Sequence, residues 1–109
     1  MRLLLDESLP KRLKNDFPEY EIYTVREKKW NGLKNGDLLS QMLTDHFDAL
    51  LTFDKNLRYQ QNFSRFSITV FVLSARTNQY EELTKLTPQI KLFLAEGNMP
   101  AGPVIITPR

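Results

Sequence analysis

At 109 residues the chain has room for one domain, 1–109, and for a core that needs neither metal nor disulfide to hold it. A hydrophobic fraction of 41% and a charged fraction of 26% are ordinary for a globular protein, and a net charge of +2 names no partner. The absence of cysteine excludes a disulfide framework, a thiol nucleophile and a Cys-ligated zinc site.

Along the chain, Leu3 to Leu5 form a short apolar run closed by Asp6. It is too short for a secretory signal and reads as a strand buried on both faces. No stretch approaches the length of about eighteen apolar residues that a membrane span needs, so the expectation is a cytoplasmic protein with no membrane contact. Ser8 reads as the cap of a helix with Leu9, Leu13 and Phe17 on one face, stopped by Pro18. Glu21 to Val25 is β-branched and aromatic, a second strand. A basic loop around Trp30 and Gly32 leads to Asp37, which opens a helix with Leu38, Leu39, Met42 and Leu43 spaced for burial. Ala49 to Phe53 is a third strand ending on Asp54, and a short helix or loop is expected through Tyr59 to Phe63. Ile68 to Leu73 is the clearest strand. Asn78 and Glu81 suggest a capping box, and Thr87-Pro88 a fresh start that splits the C-terminal helical region. Gly97 should stop that helix, and Val104 to Thr107 should form the last strand.

Strands alternating with helical segments predict an α/β fold: a largely parallel sheet of about five strands with helices on both faces. In such sheets function gathers beyond the carboxyl ends of the strands. Asp6-Glu7 and Asp54 stand at two such ends, and Asp37 should emerge near the same edge. Converging carboxylates stay ionised when a cation compensates them, and an all-oxygen set without His or Cys suits Mg²⁺ or Mn²⁺. Each acid also has a structural reading: turn chemistry for Glu7, the helix dipole for Asp37, a surface pair with Lys55 for Asp54.

Charge is distributed unevenly. Residues 1–54 carry eight Lys/Arg against ten Asp/Glu, and residues 55–109 seven against three. Lys11, Arg12, Lys28, Lys29, Lys55, Arg58 and Arg76 are candidate phosphate contacts, with Trp30 or Tyr59 available to stack on an unpaired base. Trp30 reads equally as a core or partner contact, and His46 as an ordinary surface or packing residue.

The segments Met1-Arg2-Leu3-Leu4-Leu5-Asp6-Glu7-Ser8-Leu9-Pro10 and Leu51-Thr52-Phe53-Asp54-Lys55-Asn56-Leu57 resemble the two hallmark segments of a PIN-like family described as the toxin half of bacterial toxin–antitoxin pairs. Val25-Arg26-Glu27 and Asn35-Gly36-Asp37-Leu38-Leu39 fit its pattern as well. The resemblance covers about the first three quarters of the chain. It implies a PIN-like three-layer sandwich, a divalent-metal site and cleavage of RNA. By position it makes Asp6 and Asp54 metal ligands, with Glu7 and Asp37 as further acids, catalytic or metal-binding. It also implies a small antitoxin protein as partner and leaves a homodimer open. The chain departs from the pattern at Asn56, where many relatives carry aspartate, and at Ser74 to Asn78, where PIN domains keep another acid. Two rival readings remain: a PIN-like binding module without catalysis, and a phospho-acceptor receiver domain, whose acidic pair, aspartate and hydroxyl-alanine step Asp6-Glu7, Asp54 and Ser74-Ala75 imitate.

Overall fold

The computed structural model describes residues 1–56, 66–97 and 99–108, apart from the side chain of Asn35. Among these, β1 (Arg2–Leu5), β2 (Glu21–Thr24), β3 (Ala49–Thr52), β4 (Thr69–Leu73) and β5 (Gly102–Ile106) form one parallel sheet in the order β2-β1-β3-β4-β5. Among the described residues three α-helices flank it: α1 (Asn35–Thr44), α2 (Tyr80–Leu83) and α3 (Thr87–Glu96). The expected α/β sandwich with a five-stranded parallel sheet is therefore what forms. The reading of Tyr59 to Phe63, and Arg58 with it, lies outside the described residues.

Alternation along the strands builds two cores. Leu3, Leu5, Leu51, Phe71 and Leu73 face one layer with Leu13, Phe17, Leu83, Ile90 and Leu94. Leu4, Leu50, Val70 and Val72 face the other with Leu38, Leu39, Met42 and Phe47. Every residue of β3 and β4 is buried, as a central parallel strand covered on both sides requires. Trp30 belongs to the second layer, where its ring meets Phe47 edge-on at 5.6 Å; the packing reading holds for it.

The connections sort by face. The β1–β2 connection and the α2–α3 connection lie on one face, while α1 lies on the other. On the shared face one connection runs toward the β2 edge and the other toward the β5 edge. Over parallel strands these two paths have opposite hands. This departs from the uniform right-handedness of doubly wound sheets.

Several local expectations change. The segment after β1 is a 3₁₀ helix at Lys11–Asp16 whose cap position is Pro10, which has no side-chain acceptor to offer; Ser8 lies two residues before it and donates to Asp6. Asn78 does not cap α2; it donates to the Ser8 carbonyl at 3.2 Å and ties the loop after β4 to the loop after β1. The C-terminal helical region is split as expected, α2 passing through a 3₁₀ turn at Thr84–Leu86 into α3. The Thr87 hydroxyl serves Asp16 rather than the helix end: Asp16 accepts from Tyr80 (2.6 Å), Thr84 (2.6 Å) and Thr87 (2.8 Å). Burial alone would raise the Asp16 pKa. The three hydroxyl donors, with Lys91 nearby, outweigh it and hold the carboxyl below its usual value.

Two helix ends are closed by left-handed residues. Gly97 ends α3 with φ of 69°, as its lack of Cβ permits. After α1 the same conformation falls on His46, with φ of 61°. The Phe47 amide bonds the Met42 carbonyl at 2.9 Å and the His46 amide the Leu43 carbonyl at 3.2 Å, the paired bonds of a Schellman motif. His46 is exposed, as expected.

Candidate metal and nucleic-acid site

Strand order sets the place. The chain passes from β1 outward to β2, then back across β1 to β3, so the order reverses between β1 and β3. Crevices at such switch points, beyond the carboxyl ends, are where ligands of open parallel sheets bind. Leu5 stands in register with Leu51, and the Asp6 amide bonds the Leu51 carbonyl at 2.9 Å. Asp6 and Thr52 are therefore neighbours on one side of the sheet, directly at the switch.

The side chains there form a closed set of hydrogen bonds. Asp6 Oδ2 accepts from Ser8 Oγ at 2.7 Å and from Thr52 Oγ1 at 2.9 Å. Each hydroxyl is itself oriented by a backbone donor: Ser8 Oγ accepts from the Phe53 amide at 3.0 Å, and Thr52 Oγ1 from the Asp54 amide at 3.0 Å. With its acceptor side taken, each hydroxyl has its proton directed at Asp6. Asp54 in turn accepts the Asn56 amide on Oδ1 at 3.0 Å. Among the described residues, Asp6 Oδ1 and Asp54 Oδ2 receive no hydrogen bond. Each aspartate thus keeps one oxygen available.

Ser8 and Thr52 join this constellation without having been singled out for it in the sequence. A hydroxyl two positions after Asp6 and another two before Asp54 were the available signals. They acquire meaning only once β1 and β3 are known to be adjacent. Thr52 is fully buried, so its hydroxyl has no water to fall back on.

The remaining acids do not join this pair. Among the described residues no group of three or more His, Asp or Glu side chains is arranged to hold a metal ion. Glu7 is exposed, and Asp37 is exposed in the first turn of α1, where the helix dipole suits it. Free carboxylate oxygens are nevertheless the donor type that Mg²⁺ takes. That ion keeps several waters and is commonly held by one or two carboxylates plus a substrate phosphate, without an all-protein cage.

The cations divide by position. Arg2, Lys14, Lys28, Lys85 and Lys91 are ion-paired, with Glu21, Glu27, Asp45, Glu82 and Glu19 respectively. Arg12, expected to bind nucleic acid, lies over the Tyr80 ring at 4.2 Å and within 3.8 Å of Glu81. Lys28 is likewise spent, on Asp45 at 2.8 Å. By contrast Lys11, Arg26, Lys55 and Arg76, which follow β1, β2, β3 and β4 in turn, are exposed and without an ion-pair partner among the described residues. Lys29 and Lys34, in the connection to α1, are also unpaired. Beside Asp6, between the ends of β1 and β2, opens a cleft of about 310 Å³ walled by Leu5, Leu9, Val25, Lys11 and Arg26.

Comparison with protein-family models, curated proteins and solved structures gave no match for this chain. No helix among the described residues is long and apolar enough to cross a membrane.

Proposed function

We propose that the chain is a divalent-metal-dependent endoribonuclease of PIN-like type. The observation that carries this reading is that Asp6 and Asp54 follow the adjacent strands β1 and β3 at their switch, each with a carboxylate oxygen that accepts no hydrogen bond among the described residues. Asp6 Oδ1 and Asp54 Oδ2 would hold Mg²⁺ or Mn²⁺, and the bound ion supplies Lewis acidity toward a phosphodiester and the activation of a water. The chain's own part is positioning. Ser8 and Thr52 fix the Asp6 carboxylate, so that its free oxygen needs little reorganisation to serve a ligand. Lys55 and Arg76 flank the pair and neutralise phosphates of a single-stranded RNA, with Lys11 and Arg26 extending the track. From the sequence resemblance, the proposal includes action in the cytoplasm as the toxin of a toxin–antitoxin pair, with a small inhibitory protein as partner.

The absence of a three-acid group among the described residues favours a second reading, an RNA-binding module without catalysis. A receiver-like phospho-acceptor has the same strand order but not the mixed hand of the connections found here. Cleavage of labelled single-stranded RNA, with and without Mn²⁺ and beside Asp54→Asn, separates the readings. Metal-dependent cutting that the variant loses supports the nuclease. Tight RNA binding with no cutting by folded wild-type protein in Mn²⁺ refutes it in favour of the module.

A further inference from the structure

We propose that the cleft beside Asp6 is a subsite for a single nucleotide, selecting a base that carries an exocyclic amine, cytosine foremost. The inference rests on the reading of the carboxyl edge as an RNA-acting surface and names what that surface selects. The cleft's volume of about 310 Å³ stands at the lower end for small-ligand pockets. It suits one unstacked nucleotide and excludes a duplex.

Its walls are chemically divided. Leu5, Leu9 and Val25, themselves buried in the core, close the bottom of the cleft with apolar atoms. Glu27 belongs to the lining but its charge is already used: Lys14 Nζ donates to it at 2.8 Å and the Thr24 amide at 2.8 Å. These bonds hold its pKa below the usual carboxylate value, Lys14 contributing most and the Thr24 amide next. Lys11, Arg26 and Glu7 remain, all exposed and without ion-pair partners among the described residues, together with the half-buried Asp6, whose Oδ1 accepts no hydrogen bond there.

A rim that sets two free cations beside free carboxylate oxygens suits a ligand carrying both an anionic group and a hydrogen-bond donor. A nucleotide meets both demands. Its phosphate faces Lys11 and Arg26, while an exocyclic amine donates to Glu7 as carboxylates accept from cytosine N4. Uracil presents a carbonyl oxygen at that position, which a carboxylate repels.

Calorimetric titration of the full chain with CMP and with UMP, in EDTA, tests this without metal or cleavage. The expected result is saturable CMP binding about tenfold tighter than UMP. Glu7→Gln should bring the two affinities together, and Arg26→Glu should weaken both. All of these positions are exposed, and equal thermal unfolding of the variants controls for folding. Equal wild-type affinities, no saturable CMP binding, or indifference to Arg26→Glu and Lys11→Glu would each overturn the subsite. Protein that cuts RNA but ignores CMP leaves the nuclease standing without this subsite. Protein that selects CMP but never cuts does the reverse.

Discussion

Replacing Thr52 with Val removes one hydroxyl at the centre of the site and keeps the shape of the side chain. Thr52 Oγ1 donates to the Asp6 carboxylate at 2.9 Å and accepts the Asp54 amide at 3.0 Å. A hydrogen bond to a charged group contributes about 1.5–3 kcal/mol, and an orphaned buried amide costs about 1–3 kcal/mol. Ser8 still holds Asp6 Oδ2, and the half-buried Asp54 region admits some water, so the losses do not add in full. A net cost of about 2 kcal/mol follows. The packed Trp30 is a fluorescence probe, and urea unfolding of a chain this size has a slope of about 1–3 kcal/mol per molar. The transition midpoint should therefore fall by roughly 0.7–2 M with its slope unchanged. Thr52→Ser, which keeps the hydroxyl, should lose less. A Thr52→Val midpoint equal to wild type would refute the claim that this hydroxyl links the two aspartates.

Ser8→Ala should cost about 1–2 kcal/mol by the same urea assay, through Asp6 and the Phe53 amide rather than through a helix cap. The Asp16 carboxyl lies below its usual pKa, so its stabilising effect is complete above about pH 4 and is lost as pH falls through its folded value. Acid titration of unfolding stability should therefore be flatter in Asp16→Asn than in wild type; parallel curves would contradict the hydroxyl cradle. His46→Gly relieves a left-handed non-glycine residue and should raise stability by about 1 kcal/mol, read as a higher melting temperature. On RNA, Lys55→Ala should lower the salt slope of binding by about 0.7, whereas Arg12→Ala should leave it unchanged.

The strands were legible where burial is total. Leu3 to Leu5, Ala49 to Thr52 and Thr69 to Leu73 are apolar runs with no competing pattern. The last strand begins at Gly102, earlier than its apolar residues suggest, because pairing with β4 extends through Pro103 at the sheet edge. Asp6 and Asp54 were legible because each carboxylate closes an apolar run. Their hydroxyl partners were not. A serine before Leu9-Pro10 has the local signature of a helix cap, and only the β1–β3 adjacency turns it toward Asp6. The contacts of Arg12 were hidden for a similar reason: Tyr80 and Glu81 are remote in sequence, and the fold brings α2 against the 3₁₀ segment that carries Arg12. Local patterns marked elements and end residues; strand order decided which of them meet.

On the proposed function Asp6 acts in metal-dependent cleavage and is more than a structural turn residue. Asp6→Asn keeps an acceptor oxygen for Ser8 and Thr52 while removing the charge a cation needs. Its single-turnover cleavage of labelled single-stranded RNA in Mn²⁺, measured beside its thermal unfolding, is the most direct test. The expected result is a folded protein with wild-type sheet content and no measurable cutting. A folded Asp6→Asn protein that cuts at the wild-type rate would contradict it.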